Sequence, residues 1–345
     1  MNTCRFQRAL GVAAALIVSM SAGTTAHAQE VVLKLHHFLP AGHQNQKTVI
    51  EPWAEKINKE SDGRIKIEIY PSMQLGGKPP QLLDQVRDGL TDIAWSLPGY
   101  TAGRFPKISV FELPFMVSNA EATSQAVQAY YEQYAKDEFA DYHVLWFHTH
   151  ARGLIHTREA PVRAASDVDG KKLRAPNRSI GNALEALGAS PIFMPVPALP
   201  EALSKGVVDG AVIPWEIVPA LKVHELSPNH AETPGDRGLY TAIFVFAMNK
   251  QKYESLPDEL KKVIDDNSGI AMSKLSGQRW DSAEVPGKQV AVDRGNEIVE
   301  IPSAEMEIIR ERTSTVTRQW IEDMGDEGQS LYDAANELLR TYSGD

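Results

Sequence analysis

The chain has 345 residues, 35 basic against 45 acidic side chains for a net charge of −10, 43% hydrophobic residues and a single cysteine. That length admits two domains at the usual ~100 to 200 residues each, and acidity without a long basic run argues against nucleic acid as a partner. An anionic ligand would need a local cationic site, because the overall charge does not attract it.

The first residues carry Arg5 and Arg8, then an apolar stretch from Ala9 to about Ala22, then Ala26-His27-Ala28. This is the pattern of a cleaved secretory signal peptide over 1–28. The mature chain is expected to begin near Gln29, to reach the periplasm, and to have a net charge of −12 once Arg5 and Arg8 are lost. Cys4 precedes the apolar core instead of standing at the cleavage point, which argues against a lipid anchor. Its loss would leave no thiol or disulfide. No later segment approaches the ~20 apolar residues of a membrane-spanning helix.

Val31 to Phe38 reads as an apolar strand that ends at His36-His37-Phe38-Leu39-Pro40. Val49, Ile50, Trp53 and Ile57 fall at helical spacing, and Ser61-Asp62-Gly63 stops that helix. Arg64 to Tyr70 alternates as a half-buried strand. Pro79 and Pro80 open a helix carrying Leu82, Leu83, Val86 and Leu90, and Asp92 to Leu97 is the next strand. This βαβαβ start predicts a parallel, right-handed α/β layer.

Trp95, Leu97, Pro98, Tyr100 and Phe105 then gather at a strand end and the loop after it. They either close the top of a core or line a ligand site, since α/β sites lie at strand-end loops. A helix over about 120–135 and a strand from His143 to Thr149 complete the first lobe. His148 and His150 share a strand face as metal ligands might. No third ligand stands at close spacing, and His36 and His37 point to opposite faces, so no metal site is expected.

The second lobe begins at His150 to Thr157. In Gly170-Lys171-Lys172-Leu173-Arg174-Ala175-Pro176-Asn177, Leu173 and Ala175 alternate with charged residues, and Pro176 stops a short strand. Arg174 therefore sits at a strand end facing the crevice, where its planar fork of donors suits a carboxylate; a surface ion pair is the plainer alternative. A helical run with Ile180, Ala183, Leu184 and Leu187 follows, then a Gly188-Ala189-Ser190-Pro191 turn and a strand from Ile192 to Val196. Leu199 to Leu203 is a short helix before Gly206-Val207-Val208-Asp209-Gly210-Ala211. Leu239 to Met248 is a long apolar strand able to return to the first lobe. A helical run from Leu256 toward Trp280 and a short strand from Glu297 to Ile301 come next. Ser303 to Tyr342 is mostly helical, interrupted near Gly325 to Gly328.

The order Lys-x-Arg-x-Pro at 172–176, Leu-Gly-Ala at 187–189 and Gly-Val-Val-Asp-Gly at 206–210 resembles the solute-binding proteins of tripartite ATP-independent periplasmic (TRAP) transporters of the DctP-like family. So do Tyr70-Pro71-Ser72-Met73-Gln74-Leu75-Gly76, Gln85-Val86-Arg87-Asp88-Gly89 with Asp92, and Glu112-Leu113-Pro114-Phe115. The similarity covers essentially the whole mature chain. It implies an α/β, two-lobed periplasmic binding protein fold with crossing hinge strands and a long C-terminal helical region. By that similarity lobe one is 29–149 plus 241–282, lobe two is 150–240 plus 283–345, and the ligand cleft lies between them.

The resemblance assigns Arg174 to a salt bridge with the ligand carboxylate and Arg152 to a second, assisting contact. Asn177, at the end of the Arg174 motif, joins the candidate ligand residues. Where relatives often carry Asn in a Glu-Asn-Pro context, this chain has Ile213 before Pro214, which leaves Trp215 or Glu216 to take over. A pocket of Phe38, Trp95, Leu97, Tyr100 and Trp215, with His37 or Tyr100 for one hydroxyl, would leave sugar hydroxyls unpaired at ~1 to 3 kcal/mol each. The expected ligand is an aromatic or otherwise apolar monocarboxylate, with a polar organic or sugar acid as the alternative. The partners implied are the small and large TRAP membrane subunits, and no cofactor is implied. A binding protein for an ATP-driven importer or sensor is a rival. A periplasmic enzyme is another, although no Gly-x-Ser-x-Gly, His-Glu-x-x-His or phosphate loop proposes a reaction.

Overall fold

A computed structural model describes residues 31–344; the expected signal peptide lies outside them. Two mixed sheets organise the chain. The first is built from β1 (Val31–His37), β2 (Ile65–Tyr70), β3 (Ile93–Ser96) and β4 (Tyr142–Thr149), with β10 (Ile243–Asn249) returning from far along the chain. Its order is β2-β1-β3-β10-β4, with β1 parallel to β2 and β3, and β10 antiparallel to both β3 and β4. The expected parallel βαβαβ start is present, made by α1 (Glu51–Glu60) and α2 (Leu82–Arg87). Asp62 and Gly63, at φ 53° and 77°, end α1 in the left-handed conformation that glycine adopts without steric cost.

After α3 (Ala120–Tyr130), whose first turn is capped by the Asn119 carboxamide accepting from Ala122 N at 2.7 Å, the chain crosses to the second sheet. This sheet holds β5 (Leu154–Thr157), β6 (Lys172–Ala175), β7 (Ser190–Phe193), β8 (Gly210–Ile213), β9 (Asn229–Glu232) and β11 (Glu297–Glu300). Its order is β11-β9-β5-β8-β6-β7. The helices α4 (Arg178–Ala186), α5 (Leu199–Ser204), α6 (Val218–Leu221) and α7 (Val223–Leu226) belong to this half. After β10 come α8 (Lys250–Glu254), α9 (Asp258–Asp266), α10 (Gly269–Asp293), α11 (Ser303–Asp323) and α12 (Gly328–Ser343).

Three segments pass between the sheets. Residues 150–153 and 238–242 run side by side, with Gly153 N donating to Tyr240 O at 2.9 Å, Thr241 Oγ1 to His150 O at 2.7 Å and Ala242 N to His150 Nε2 at 3.0 Å. The third is α10, held tightly at two glycines. A Cβ on Gly277 would lie 2.4 Å from Ala120 O, and one on Gly287 2.2 Å from Trp215 O, so this helix touches backbone of both halves.

Four elements differ from the sequence expectation. The expected strand over 239–248 is paired in the sheet only from Ile243, because Leu239 to Ala242 are consumed in the crossing. β7 begins at Ser190 instead of Ile192: Ser190 N donates to Lys171 O, and Pro191 is tolerated because β7 is an edge strand. β9 was not expected, since Asn229-His230-Ala231-Glu232 has no apolar alternation; its neighbours β5 and β11 supply the ladder. Within the region allotted to lobe two, α11 packs on α4 but α12 packs on α3, against the first sheet's helix.

Candidate functional site

The strand ends of both sheets and the crossing segments line a small cavity of about 40 Å³. Phe38, Leu39, Leu97, Tyr100 and Phe244 come from the first sheet's side, and Arg174, Pro176, Val196 and Ile217 from the second. His150, Tyr240 and Ala242 come from the crossing, and Trp280 from α10.

Arg174 is the cavity's only cationic side chain. It is 3% exposed, on the second-to-last position of β6, where Pro176 prevents the ladder from continuing. Nε donates to Met194 O at 3.0 Å and Nη1 to Val212 O at 3.4 Å, so two backbone carbonyls fix the guanidinium plane. No Asp or Glu among the described residues pairs with it, which rules out the surface ion pair. Burial draws its pKa down, with Tyr100 and Tyr240 acting the other way. A cation kept so dry is costly unless an anion joins it.

The opposite wall is apolar. Phe244 and Trp280 have ring centroids 5.0 Å apart, and Phe38 meets Tyr100 edge-on at 5.8 Å. His150 presents a ring whose two nitrogens are spent, Nδ1 on Ala151 O and Nε2 on Ala242 N. Burial lowers its pKa to about 3, so the ring is neutral. Tyr100 Oη accepts from Val196 N at 3.1 Å and retains its own proton to donate.

Of the residues singled out from sequence, Arg174, Phe38, Leu97 and Tyr100 therefore converge on one cavity. Trp95 lies behind it, stacked under Phe38 at 5.3 Å and 15°, with its indole N–H donating to His148 Nε2 at 2.9 Å. His37 is turned to Gln46 at 3.0 Å and meets Trp95 edge-on; burial takes its pKa down to about 4. Neither touches the cavity. His148 is occupied by the Trp95 indole and stacked on Phe244, and no group of three or more metal-ligating side chains occurs among the described residues.

Four expected contacts lie elsewhere. The Arg152 guanidinium gives three of its five N–H groups to backbone: Nε to Ser118 O at 2.8 Å, Nη2 to Asp236 O at 3.2 Å, and Nη1 to Gly235 O. It clamps the loop before the crossing and does not line the cavity. Trp215 turns away from the cavity to donate to Glu232 Oε1 at 2.9 Å beside His156, because the close approach of Gly287 in α10 fixes its backbone. Glu216 is paired with His43 at 2.8 Å. Asn177 caps α4, its Oδ1 accepting from Ile180 N at 3.0 Å.

Asn177 lines a second, larger groove of about 310 Å³, with Gly99, Glu112 and the C-terminal end of α11. Burial raises the Glu112 pKa to about 7. Its arginine, Arg178, is exposed, so the cavity with the buried Arg174 is the better anion site. Sequence reasoning missed His150, Tyr240, Phe244 and Trp280 as cavity residues. Phe244 and Tyr240 were legible only as members of an apolar strand, and nothing local marks Trp280, which reaches the site from a helix remote in sequence.

The model of the bacterial extracellular solute-binding proteins, family 7, matches residues 35–323. Among solved structures, a TRAP solute-binding protein of an unidentified marine microbe, specific for aromatic acids and crystallised with 3-hydroxybenzoate, is 50% identical, with a TM-score of 0.89 over 91% of this chain and 99% of that one. A TRAP solute-binding protein of Rhodoferax ferrireducens T118 with copurified benzoate is 45% identical, with a TM-score of 0.89 over 91% and 99%. One from Bordetella bronchiseptica with bound (R)- and (S)-mandelate is 29% identical, with a TM-score of 0.84 over 90% and 99%.

Proposed function

Because the chain belongs to family 7 of the bacterial extracellular solute-binding proteins, and is a solute-binding protein of the TRAP type, we propose that its ligand is an aromatic monocarboxylate. The carboxylate lies against Arg174 and the ring against Phe38, Leu97, Phe244 and Trp280. One observation carries this: a buried guanidinium without a carboxylate partner at one end of a small apolar cavity. An anion there gains charge-assisted hydrogen bonds in a dry site, which are worth about 1.5–3 kcal/mol each.

The lining also supports an aromatic body over a polyol. Arg174 aside, its polar side chains are two tyrosines and a histidine with both nitrogens occupied. Several sugar hydroxyls would each lose water without replacement, at about 1–3 kcal/mol apiece. The benzoate, 3-hydroxybenzoate and mandelate held by related proteins are of the same class.

In this reading the protein makes and breaks no covalent bond. It is exported to the periplasm by its N-terminal signal, captures the acid and delivers it to a small and a large membrane subunit. The lobes follow the two sheets, about 29–149 with 241–282 and about 150–240 with 283–323, and α12 returns to the first. Each lobe supplies part of the cavity lining, so ligand favours the closed form.

A thermal-shift panel tests this. Benzoate, 3-hydroxybenzoate and mandelate should stabilise the protein, by about 2.7 kcal/mol at a hundred times the dissociation constant. Glucuronate and galactonate should not; stabilisation by the sugar acids alone would overturn the reading.

A further inference from the structure

The geometry points to the Tyr240 hydroxyl as the second donor to the ligand carboxylate, beside Arg174, in the role that Arg152 does not fill. The inference rests on the aromatic-acid reading and deepens it by naming how the charged end is held.

Tyr240 is 2% exposed and lines the cavity, yet its hydroxyl forms no hydrogen bond with any described residue. Unlike the Tyr130 hydroxyl, it is not among the sealed and unmatched polar atoms, so it is open to the cavity and free to meet a ligand. Its position is built. The crossing strand carries Gly153 opposite, where a Cβ would stand 1.9 Å from the Tyr240 ring, and Gly153 N holds Tyr240 O at 2.9 Å. The His150 ring meets the Tyr240 ring edge-on at 5.1 Å and 79°. A residue larger than glycine at 153 would displace the ring, so the backbone is shaped to the tyrosine.

Tyr240 shares the cavity lining with Arg174 and Tyr100. The Arg174 charge and the Tyr100 hydroxyl both act on Tyr240, and Tyr240 acts on Arg174. Arg174 gives Nε and Nη1 to backbone carbonyls and also meets the Tyr100 hydroxyl, and its remaining N–H groups are available to a ligand. A carboxylate has about four lone-pair sites, and the guanidinium end fills two of them. A neutral O–H donor beside it fills a third without placing a second cation in a dry site.

The test is Tyr240→Phe, which keeps the ring and its packing, with titration calorimetry of wild type and variant against benzoate and 3-hydroxybenzoate. Expected is a roughly 10- to 100-fold loss of affinity, equal for both ligands, with the ligand-free melting temperature held within about 2 °C. Binding of both ligands within twofold of wild type overturns the Tyr240 assignment and leaves the aromatic-acid reading standing. A loss confined to 3-hydroxybenzoate means that Tyr240 reads the ring hydroxyl, which overturns its role at the carboxylate. Wild type that binds neither acid overturns the reading itself, and Tyr240 with it.

Discussion

His43 Nε2 lies 2.8 Å from Glu216 Oε1, with both side chains buried, and this pair joins the loop after β1 in the first sheet to the loop after β8 in the second. His43 is further held against Trp95 and Trp280, the latter donating its indole N–H to Asn45 Oδ1 at 3.0 Å. Glu216, a candidate ligand contact from the sequence, lies instead at this buried contact between the two halves.

Replacing Glu216 disturbs a buried polar contact, at about 1–3 kcal/mol. Glu216→Gln should therefore lower the denaturant midpoint substantially with the slope unchanged. A midpoint within error of wild type would mean that the pair contributes nothing to the fold.

Arg174→Lys keeps the charge but loses the fork that Met194 O and Val212 O orient. A point charge on a flexible stem cannot reproduce it, and affinity for benzoate should fall by about 2–5 kcal/mol. Calorimetry showing the variant within twofold of wild type would remove Arg174 from the site.

Arg152→Ala should behave in the opposite way. Its three bonds go to the carbonyls of Ser118, Gly235 and Asp236, so the loss is of loop anchoring. We expect a melting temperature several degrees lower, from about 1–3 kcal/mol, and a benzoate affinity within about threefold of wild type. A selective loss of affinity at unchanged stability would return Arg152 to the site.

The pH dependence should turn on Glu284. Its carboxyl accepts from Glu216 N at 2.9 Å and Trp215 N at 3.3 Å; burial raises its pKa from 4.5 to about 8, with those bonds acting against the rise. The folded chain then holds a proton that the unfolded chain releases above pH 4.5. This contribution is complete below about pH 4.5 and is lost as pH rises to about 8. Glu112 and Glu138, each raised to about 7 by burial, act the same way. His148, His150 and His156, each lowered to about 3 by burial, act oppositely, losing stability as pH falls from 6.5 toward 3. Glu284→Gln should flatten the fall in stability between about pH 4.5 and 8 while leaving the curve below pH 4.5 parallel to wild type. Parallel curves for the two proteins would show that Glu284 does not titrate in that window.

The α/β alternation of the first hundred residues, the strand end at Arg174 and the apolar character of Phe38 and Leu97 all follow from local pattern. Period-two and period-3.6 spacing set which face is covered, and Pro176 decides where a strand must stop. Which side chains meet at the cavity does not follow from such patterns. Arg152 and Trp215 stand at positions that looked suitable, but where their side chains point depends on partners 83 and 17 residues away, Gly235 and Glu232. Tyr240 and Trp280 reach the ligand space only because a crossing strand and a long helix run between the sheets. Periodicity reports the face a residue occupies within its own element, whereas a site between two sheets is set by how those elements cross, which only long-range packing at Gly153, Gly277 and Gly287 decides.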